Sequence, residues 1–171
     1  MPISPPAHTR RKSTTDSWIT HMWLIRELGG FEGRIGFDLD PCACEQQPWQ
    51  TARRMIAPPE DGLTAKWEGL VWLNPPYGKQ TGKWLERLAE HGDGIALVFA
   101  RTETLAFHDH VWPKADSLLF LRGRLNFCTP DGNASQKSHN SGGPSVLIGY
   151  GRQANKRLRS AQHLGALVRL S

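Results

Sequence analysis

The sequence predicts an α/β fold built on a mainly parallel sheet. Two patterns indicate this class: short apolar, β-prone runs recur along the 171 residues, and segments with a helical apolar stripe lie between them. Chain length is the third observation, because a single domain of this size buries roughly 70% of its unfolded surface and needs no disulfide to hold a core. Hydrophobic residues make up 39% of the composition and no apolar run reaches membrane-spanning length, so no membrane contact is expected.

The predicted elements follow one another from the amino end. A first helix begins at Asp16 or Ser17, either of which can cap it, and ends at Leu28 before two glycines. The later segments are a strand at 34–39, one helical turn or short strand near 52–56, a strand at 70–73, a helix at 81–91, a strand at 94–100, a short helix at 103–112, and strands at 117–121 and 145–150. The stretch 122–144 is predicted to be a long loop, which in a compact domain is typically functional or mobile.

Cysteine content and the amino terminus set expectations for the compartment and for metals. The three cysteines, Cys42, Cys44 and Cys128, occur in a chain whose start lacks the apolar stretch of a signal peptide. Reduced thiols and a cytoplasmic location are therefore expected. Cys42-Ala43-Cys44 lacks the second ligand pair of a typical zinc site, so no metal is expected.

The most informative segment is Asn74-Pro75-Pro76-Tyr77, which follows the apolar run 69–73. Prolines cannot donate to a sheet ladder, so they end the strand and make a rigid turn at the edge where open α/β sheets bind ligands. The Asn74 side-chain carbonyl and the Pro75 backbone carbonyl can accept the two N–H groups of a planar amino nitrogen, while Tyr77 offers a flat face to a base. This pattern favours attack by such a nitrogen on an electrophile. The structural alternative is a Pro-Pro turn with a buried tyrosine.

This tetrapeptide resembles the catalytic motif of amino-group methyltransferases that use S-adenosylmethionine. Further blocks resemble the small phage and prophage DNA N6-adenine methyltransferases, the Dam-like phage family: Phe37-Asp38-Leu39-Asp40-Pro41-Cys42-Ala43, Glu60-Asp61-Gly62-Leu63, Trp67 and Val71-Trp72-Leu73-Asn74-Pro75-Pro76-Tyr77-Gly78, with looser similarity at Asp16-Ser17-Trp18-Ile19-Thr20 and Leu121-Arg122-Gly123-Arg124-Leu125-Asn126-Phe127. The resemblance implies a Rossmann-like S-adenosylmethionine-dependent methyltransferase fold, with a mainly parallel sheet and a terminal antiparallel strand pair. It also implies the host cytoplasm if the protein is phage-encoded.

The domain boundaries follow from the same reasoning. Residues 1–14 are rich in proline, serine and arginine and are expected to form a disordered basic arm. Residues 15–151 are expected to form the methyltransferase catalytic domain. Residues 152–171 are expected to form a basic C-terminal segment.

An acidic side chain at the end of the first strand is expected to bind the cationic cofactor S-adenosylmethionine. Asp38 and Asp40 lie two apart and share a face if the strand runs through both. Asp40 is preferred because it is nearer the carboxyl end, and because the resembling family has its acidic turn at this position. The alternative is that Asp38 binds and Asp40 caps the turn.

Four other residues are expected at the cofactor site. Cys42 and Ala43 are small and can stand where most methyltransferases have a glycine-rich turn. The resemblance implies that Asp61 receives the adenine amino group of the cofactor, although an aspartate before glycine is also common in turns. The resemblance alone implies that Thr20 contacts the methionine carboxylate.

Basic residues suggest a polyanionic partner, because the chain carries a formal net charge of +5. Arg122, Arg124 and Asn126 follow a strand end, and Lys137 lies in the same loop, so they are candidates for contacts with DNA phosphates or bases. The loop residues His139 and Asn140 are further candidates, and basic residues at both chain ends form either a DNA-contacting surface or solvated tails. Each loop residue alone could be a solvated side chain.

The resulting hypothesis is S-adenosylmethionine-dependent methylation of adenine N6 in DNA. Glutamine-N5 or RNA-base methylation is the alternative that the motif also permits. A catalytically inactive methyltransferase fold that binds DNA is the alternative from another class. The recognition sequence, the strand state of the DNA and the oligomeric state are left open.

Overall fold

The computed structural model describes residues 19–29, 36–128 and 142–170. In chain order its elements are α1 (Met22–Glu27), β1 (Phe37–Asp40), β2 (Ala52–Met55), β3 (Val71–Leu73), α2 (Thr81–His91), β4 (Gly94–Phe99), α3 (Leu105–His110), β5 (Ser117–Leu121), β6 (Ser145–Tyr150), α4 (Gly151–Ser160), a 3-10 helix (Gln162–Leu164) and β7 (Gly165–Arg169). Some of the sequence predictions concern residues outside the described ranges. These residues are the arm 1–14, the helix caps Asp16 and Ser17, Arg34 at the start of the first predicted strand, and the loop residues Lys137, His139 and Asn140.

All seven strands belong to one sheet, in the order β2-β1-β3-β4-β6-β5-β7. The four strands from β2 to β4 are parallel neighbours, whereas β6 is antiparallel to both β4 and β5. The predicted α/β sheet is confirmed. The predicted antiparallel pairing of β5 with β6 is present, but the edge of the sheet is β7, which pairs antiparallel with β5.

Two apolar clusters follow from the alternation of strand side chains, which sends neighbouring residues to opposite faces. Val71 and Leu73 belong to one cluster, and Trp72 between them belongs to the other. Helices α2 and α3 cover the first cluster with Trp84, Leu85, Leu88 and Phe107. Helices α1 and α4 cover the second with Leu24, Ile25, Leu28, Ala154 and Leu158. The sheet therefore lies between two helical layers.

The predicted start of the first helix is wrong. Ile19 forms an antiparallel bridge with Cys128, with N···O distances of 3.1 and 2.9 Å. The helix begins only at Met22, and the ring Nδ1 of His21 accepts the Trp23 N–H at 3.4 Å. Pairing with a residue more than one hundred positions away holds 19–21 out of the helix.

The chain after β6 forms α4 and β7, two elements that were not predicted within the expected basic C-terminal segment. Helix α4 buries Ala154 and Leu158 against the sheet. On the same helix, the Arg157 guanidinium donates to the Leu28 carbonyl at 2.9 Å and lies 5.0 Å from the centre of the Phe37 ring. Burial lowers the pKa of Arg157. This arginine of the basic segment therefore packs against the core.

Strand pairing determines where the functional residues meet. In the parallel pair of β1 and β3, Leu39 lies opposite Val71. Asp40 ends β1 and Asn74 directly follows β3, so both side chains lie at the carboxyl edge of adjacent strands. Within the three described stretches, no helix is long and apolar enough to cross a membrane.

Candidate functional site

A cavity of about 400 Å³ opens at the carboxyl ends of β1 and β3. Its walls come from five parts of the chain: the segment before α1, the turn and loop after β1, the loop after β2, strand β3 with the turn after it, and helix α2. Of the residues proposed from sequence, it brings together Thr20, Asp40, Cys42, Ala43, Asp61, Asn74, Pro75, Pro76 and Tyr77. Asp38, Arg122, Arg124 and Asn126 do not line it.

Asp40 is a buried carboxylate whose two oxygens are both hydrogen-bonded. The Cys42 backbone N–H donates to Oδ1 at 3.0 Å, and the Thr51 hydroxyl donates to Oδ2. Burial raises the pKa of Asp40 to about 6, although these two hydrogen bonds act in the opposite direction. At neutral pH the carboxylate is therefore mostly ionised, and it forms no ion pair with a basic side chain of the described residues.

Asp38 occupies a different environment from Asp40. Its Oδ2 accepts the Leu70 N–H at 2.8 Å, before β3 begins, and its Oδ1 lies 3.8 Å from an Arg53 guanidinium nitrogen. The Asp38 side chain is 44% exposed. These contacts tie Asp38 to the start of β3, away from the cavity, whereas Asp40 lines the cavity.

Thr20 projects from the segment before α1 into the cavity wall. The residue is 3% exposed, and its buried hydroxyl has no hydrogen-bond partner among the described residues. The Trp49 indole N–H donates to the Thr20 carbonyl at 3.1 Å, which fixes this backbone against the loop after β1. An unsatisfied buried hydroxyl costs free energy, so a polar ligand at this wall would stabilise the site.

Asp61 has the geometry of a turn aspartate and also lines the cavity. Its Oδ1 accepts the Leu63 N–H at 2.9 Å, which is the geometry of a turn aspartate. Asp61 also lines the cavity and is largely exposed there. The following Gly62 allows the loop to approach β1, because a Cβ at this position would collide with the Pro41 carbonyl oxygen.

The turn after β3 is held by a residue that the sequence did not single out. The Thr81 hydroxyl, at the start of α2, donates to the Pro76 carbonyl at 3.0 Å and accepts the Gly78 N–H at 3.1 Å. Pro75 is buried and Asn74 is half-buried at the cavity. Rigid proline rings and the Thr81 tether together limit the movement of the Asn74 side chain and the Pro75 carbonyl.

Tyr77 lies in an aromatic group at the carboxyl ends of β3 and β4. Its ring stacks on Phe99, with centroids 4.3 Å apart and an interplanar angle of 19°, and meets Phe127 edge-on at 6.1 Å. The Arg101 guanidinium lies 6.0 Å from the centre of the Phe99 ring. Burial raises the pKa of Tyr77, and its hydroxyl has no hydrogen-bond partner within the described stretches. Phe99 therefore covers one face of the Tyr77 ring, which the sequence analysis predicted to lie against a base.

The turn after β1 is lined by small side chains. Cys42 and Ala43 both contact the cavity, and Ala43 is buried. Burial, and then the nearby charges of Asp40 and Asp61, raise the pKa of the Cys42 thiol. All three cysteines of the chain are free thiols. The described residues contain no group of three or more His, Cys, Asp or Glu side chains suited to a metal ion.

The candidate DNA-contact residues that the structure describes do not line the cavity. Arg122, Arg124 and Asn126 are exposed after β5. The Arg122 N–H donates to the Leu164 carbonyl at 2.9 Å, which fixes the backbone at the start of this segment. Phe127, a few positions later, contacts Tyr77. The segment is therefore adjacent to the motif, with its polar side chains exposed.

Comparison with known proteins identifies one family. The family model described as DNA N-6-adenine-methyltransferase (Dam) matches residues 7–168, which include every helix and nearly all of every strand described above. A search of curated proteins and a search of solved structures each found no match.

Proposed function

The chain belongs to the DNA N-6-adenine-methyltransferase (Dam) family and methylates adenine N6 in DNA, and on that premise we propose that its methyl donor is S-adenosylmethionine. The main observation that supports this proposal is that the Asn74-Pro75-Pro76-Tyr77 turn and the buried Asp40 line the same cavity. The order of the parallel strands, with the antiparallel β6 inserted between β4 and β5, supports a Rossmann-like methyltransferase fold.

The cavity suits this cofactor in size and in polarity. Its volume of about 400 Å³ falls within the range of roughly 300–1,000 Å³ found for small-molecule sites. We assign the cationic end to Asp40, which is the only fully buried carboxylate among the described residues that line this cavity. The unsatisfied Thr20 hydroxyl suits the carboxylate end of the methionine, and Asp61 suits an amino group. Cys42 and Ala43 supply small walls that permit close approach.

The catalytic residues act on the target amino group. When bound, S-adenosylmethionine supplies an electrophilic methyl group. The Asn74 Oδ1 and the Pro75 carbonyl each accept one N–H of adenine N6, which orients the nitrogen lone pair and stabilises the positive charge that develops on it. Because N6 is paired and stacked in duplex DNA, adenine must leave the stack before it reaches this turn. Pro76 holds the turn, and Tyr77, supported by Phe99, contacts the base from the cavity side.

DNA contacts are proposed for the surface beside this turn. Arg122, Arg124 and Asn126 are exposed and precede Phe127, which contacts Tyr77, and these two observations support a role in binding phosphates or base edges. Lys137, in the stretch 129–141, is proposed for the same surface from sequence. The basic ends of the chain, residues 1–14 and 152–171, would add long-range attraction.

A product assay tests the function. The purified chain is incubated with DNA and S-adenosylmethionine carrying a labelled methyl group, and the DNA is digested to nucleosides. We expect the label in N6-methyldeoxyadenosine, and its loss in Asn74→Ala. Label in another nucleoside, or in RNA or protein substrates offered in parallel and not in DNA, would contradict the proposal.

A further inference from the structure

We propose that Thr51 is a positioning residue for the cofactor: its hydroxyl, oriented by the Gln47 amide, fixes the Asp40 carboxylate as an acceptor facing the cavity. This inference rests on the proposed function, because that proposal assigns Asp40 to the cationic end of S-adenosylmethionine. Thr51 and Gln47 lie before β2, in a stretch whose sequence has no recognisable catalytic pattern, and both line the cavity.

The direction of the Thr51 hydroxyl follows from its two partners. Thr51 is 1% exposed, and its oxygen accepts from Gln47 Nε2 at 3.2 Å. A hydroxyl has a single proton. Because Gln47 donates to the Thr51 oxygen, that proton is left for Asp40 Oδ2, which is the other polar atom in contact.

The orientation of the Gln47 amide is itself fixed by the loop backbone. Its Nε2 donates to the Trp49 carbonyl at 3.2 Å, and its Oε1 accepts the Cys44 N–H at 3.4 Å. A flipped amide would place two acceptors together at Trp49 and two donors together at Cys44. The amide nitrogen must therefore face Thr51, and the same loop holds Thr20 through the Trp49 indole.

Thr51 matters electrostatically because Asp40 has few other sources of stabilisation. Among the described residues, the titratable groups that interact with Asp40 are Cys42 and Cys44 on its own turn. Asp61, from the loop after β2, lines the same cavity, and none of these three groups is a cation. The charge of Asp40 depends on two neutral donors, the Cys42 N–H and the Thr51 hydroxyl. Removing the hydroxyl would favour the protonated, neutral form of Asp40, which attracts a cationic ligand far more weakly than a carboxylate does.

The test measures S-adenosylmethionine affinity by calorimetry between pH 5.5 and 8.5, with the full chain and no DNA. We expect the affinity of the unaltered protein to fall below about pH 6, where Asp40 becomes protonated. Thr51→Val should bind about tenfold more weakly at pH 7, with the fall in affinity moved to higher pH. Thr51→Ser retains the hydroxyl and should restore both the affinity and the pH profile.

Control variants separate this inference from the assignment of the cofactor site. Thr104→Val makes the same change outside the cavity, where the Thr104 hydroxyl donates to the Arg101 carbonyl. This variant should bind S-adenosylmethionine as tightly as the unaltered protein. Asp40→Asn tests the site itself, and unchanged affinity in it would overturn the cofactor assignment. If Asp40→Asn binds weakly and Thr51→Val binds within twofold of the unaltered protein at every pH, the positioning role is wrong and the cofactor site stands.

Two further outcomes decide between positioning and a general structural role. Weak binding by Thr51→Val with an unshifted pH profile would overturn the proposal, because a loosened loop would weaken binding at all pH values alike. If Thr51→Val does not fold, Gln47→Leu replaces it, since Gln47 is only half-buried. Gln47→Leu should show a smaller upward shift of the same profile, and an unchanged profile would contradict the inference.

Discussion

At the scale of single residues, two substitutions of Asn74 should show whether its side chain acts by accepting a hydrogen bond or only through its shape. Asn74→Ala removes one of the two acceptors for the adenine amino group, so the rate of methyl transfer should fall by roughly 10² to 10³ while cofactor affinity changes little. Asn74→Asp should retain more activity than Asn74→Ala, because a carboxylate still presents an acceptor at the same reach. Single-turnover rates, with calorimetry for the cofactor, measure both effects. Equal rates for the two folded variants would mean that Asn74 acts through its N–H donors or as a brace.

A second residue-scale prediction concerns the stability cost of Asp40. Burial raises the pKa of this carboxyl from about 3.8 to about 6. The folded state therefore holds the proton more tightly than the unfolded state, and its contribution is favourable below pH 4 and is lost as the pH rises to 6. Asn can accept only one of the two hydrogen bonds that Asp40 accepts, and this loss applies at every pH. The change in the free energy of unfolding caused by Asp40→Asn should therefore be more favourable at pH 8 than at pH 4, by about 1–3 kcal/mol.

Urea denaturation at both pH values checks this prediction about Asp40. Asp38→Asn is the matched control, because it makes the same chemical change on a side chain that is 44% exposed. Equal effects of the two variants, or a gain for Asp40→Asn that does not depend on pH, would show that burial of the Asp40 charge is not the cause. A stabilised variant that binds cofactor poorly would fit the usual conflict between stability and function at a binding site.

At the scale of elements, the tether between α2 and the turn after β3 should affect chemistry more than binding. Thr81→Val removes the hydroxyl that joins the Pro76 carbonyl and the Gly78 N–H. The rate of methyl transfer should fall by roughly tenfold, because small displacements of a reacting group are costly. Cofactor affinity should hardly change, and Thr81→Ser should recover the rate. Thr104→Val is the control: it removes a hydroxyl that makes one hydrogen bond at α3, and it should lower stability somewhat less than Thr81→Val without lowering the rate.

The elements also show which parts of the fold the sequence could predict. The helix at Thr81–His91 and the strand at Gly94–Phe99 follow from local patterns, and Gly92 ends the helix with φ of 76°. The first helix was predicted too early because the bridge between Ile19 and Cys128 is long-range. Strand β7 is largely exposed along its length and has no clean alternation, so it becomes recognisable only through its pairing with β5.

The candidate site also contains residues that local sequence patterns predict and residues that depend on long-range packing. The positions of Asn74 and Asp40 at the cavity could be predicted because each directly follows a predicted strand, and the end of a strand determines position without knowledge of the loops. Thr51 and Phe99 could not, because their roles depend on loop closure after β1 and on the side-by-side packing of β3 and β4. Neither residue type carries a functional signal of its own.

At the scale of the whole molecule, the net charge of +5 should make DNA binding depend on salt. The logarithm of the binding constant should fall by roughly 0.9 per logarithmic unit of salt for each phosphate contacted. Arg122→Ala and Arg124→Ala should each reduce that slope by about one phosphate contact. Arg53→Ala removes the same charge from β2, at the opposite edge of the sheet, and should leave the slope nearly unchanged. Fluorescence anisotropy from low to moderate salt measures the slopes, and an equal effect of all three variants would mean that net charge, rather than the surface beside Tyr77, contacts the DNA.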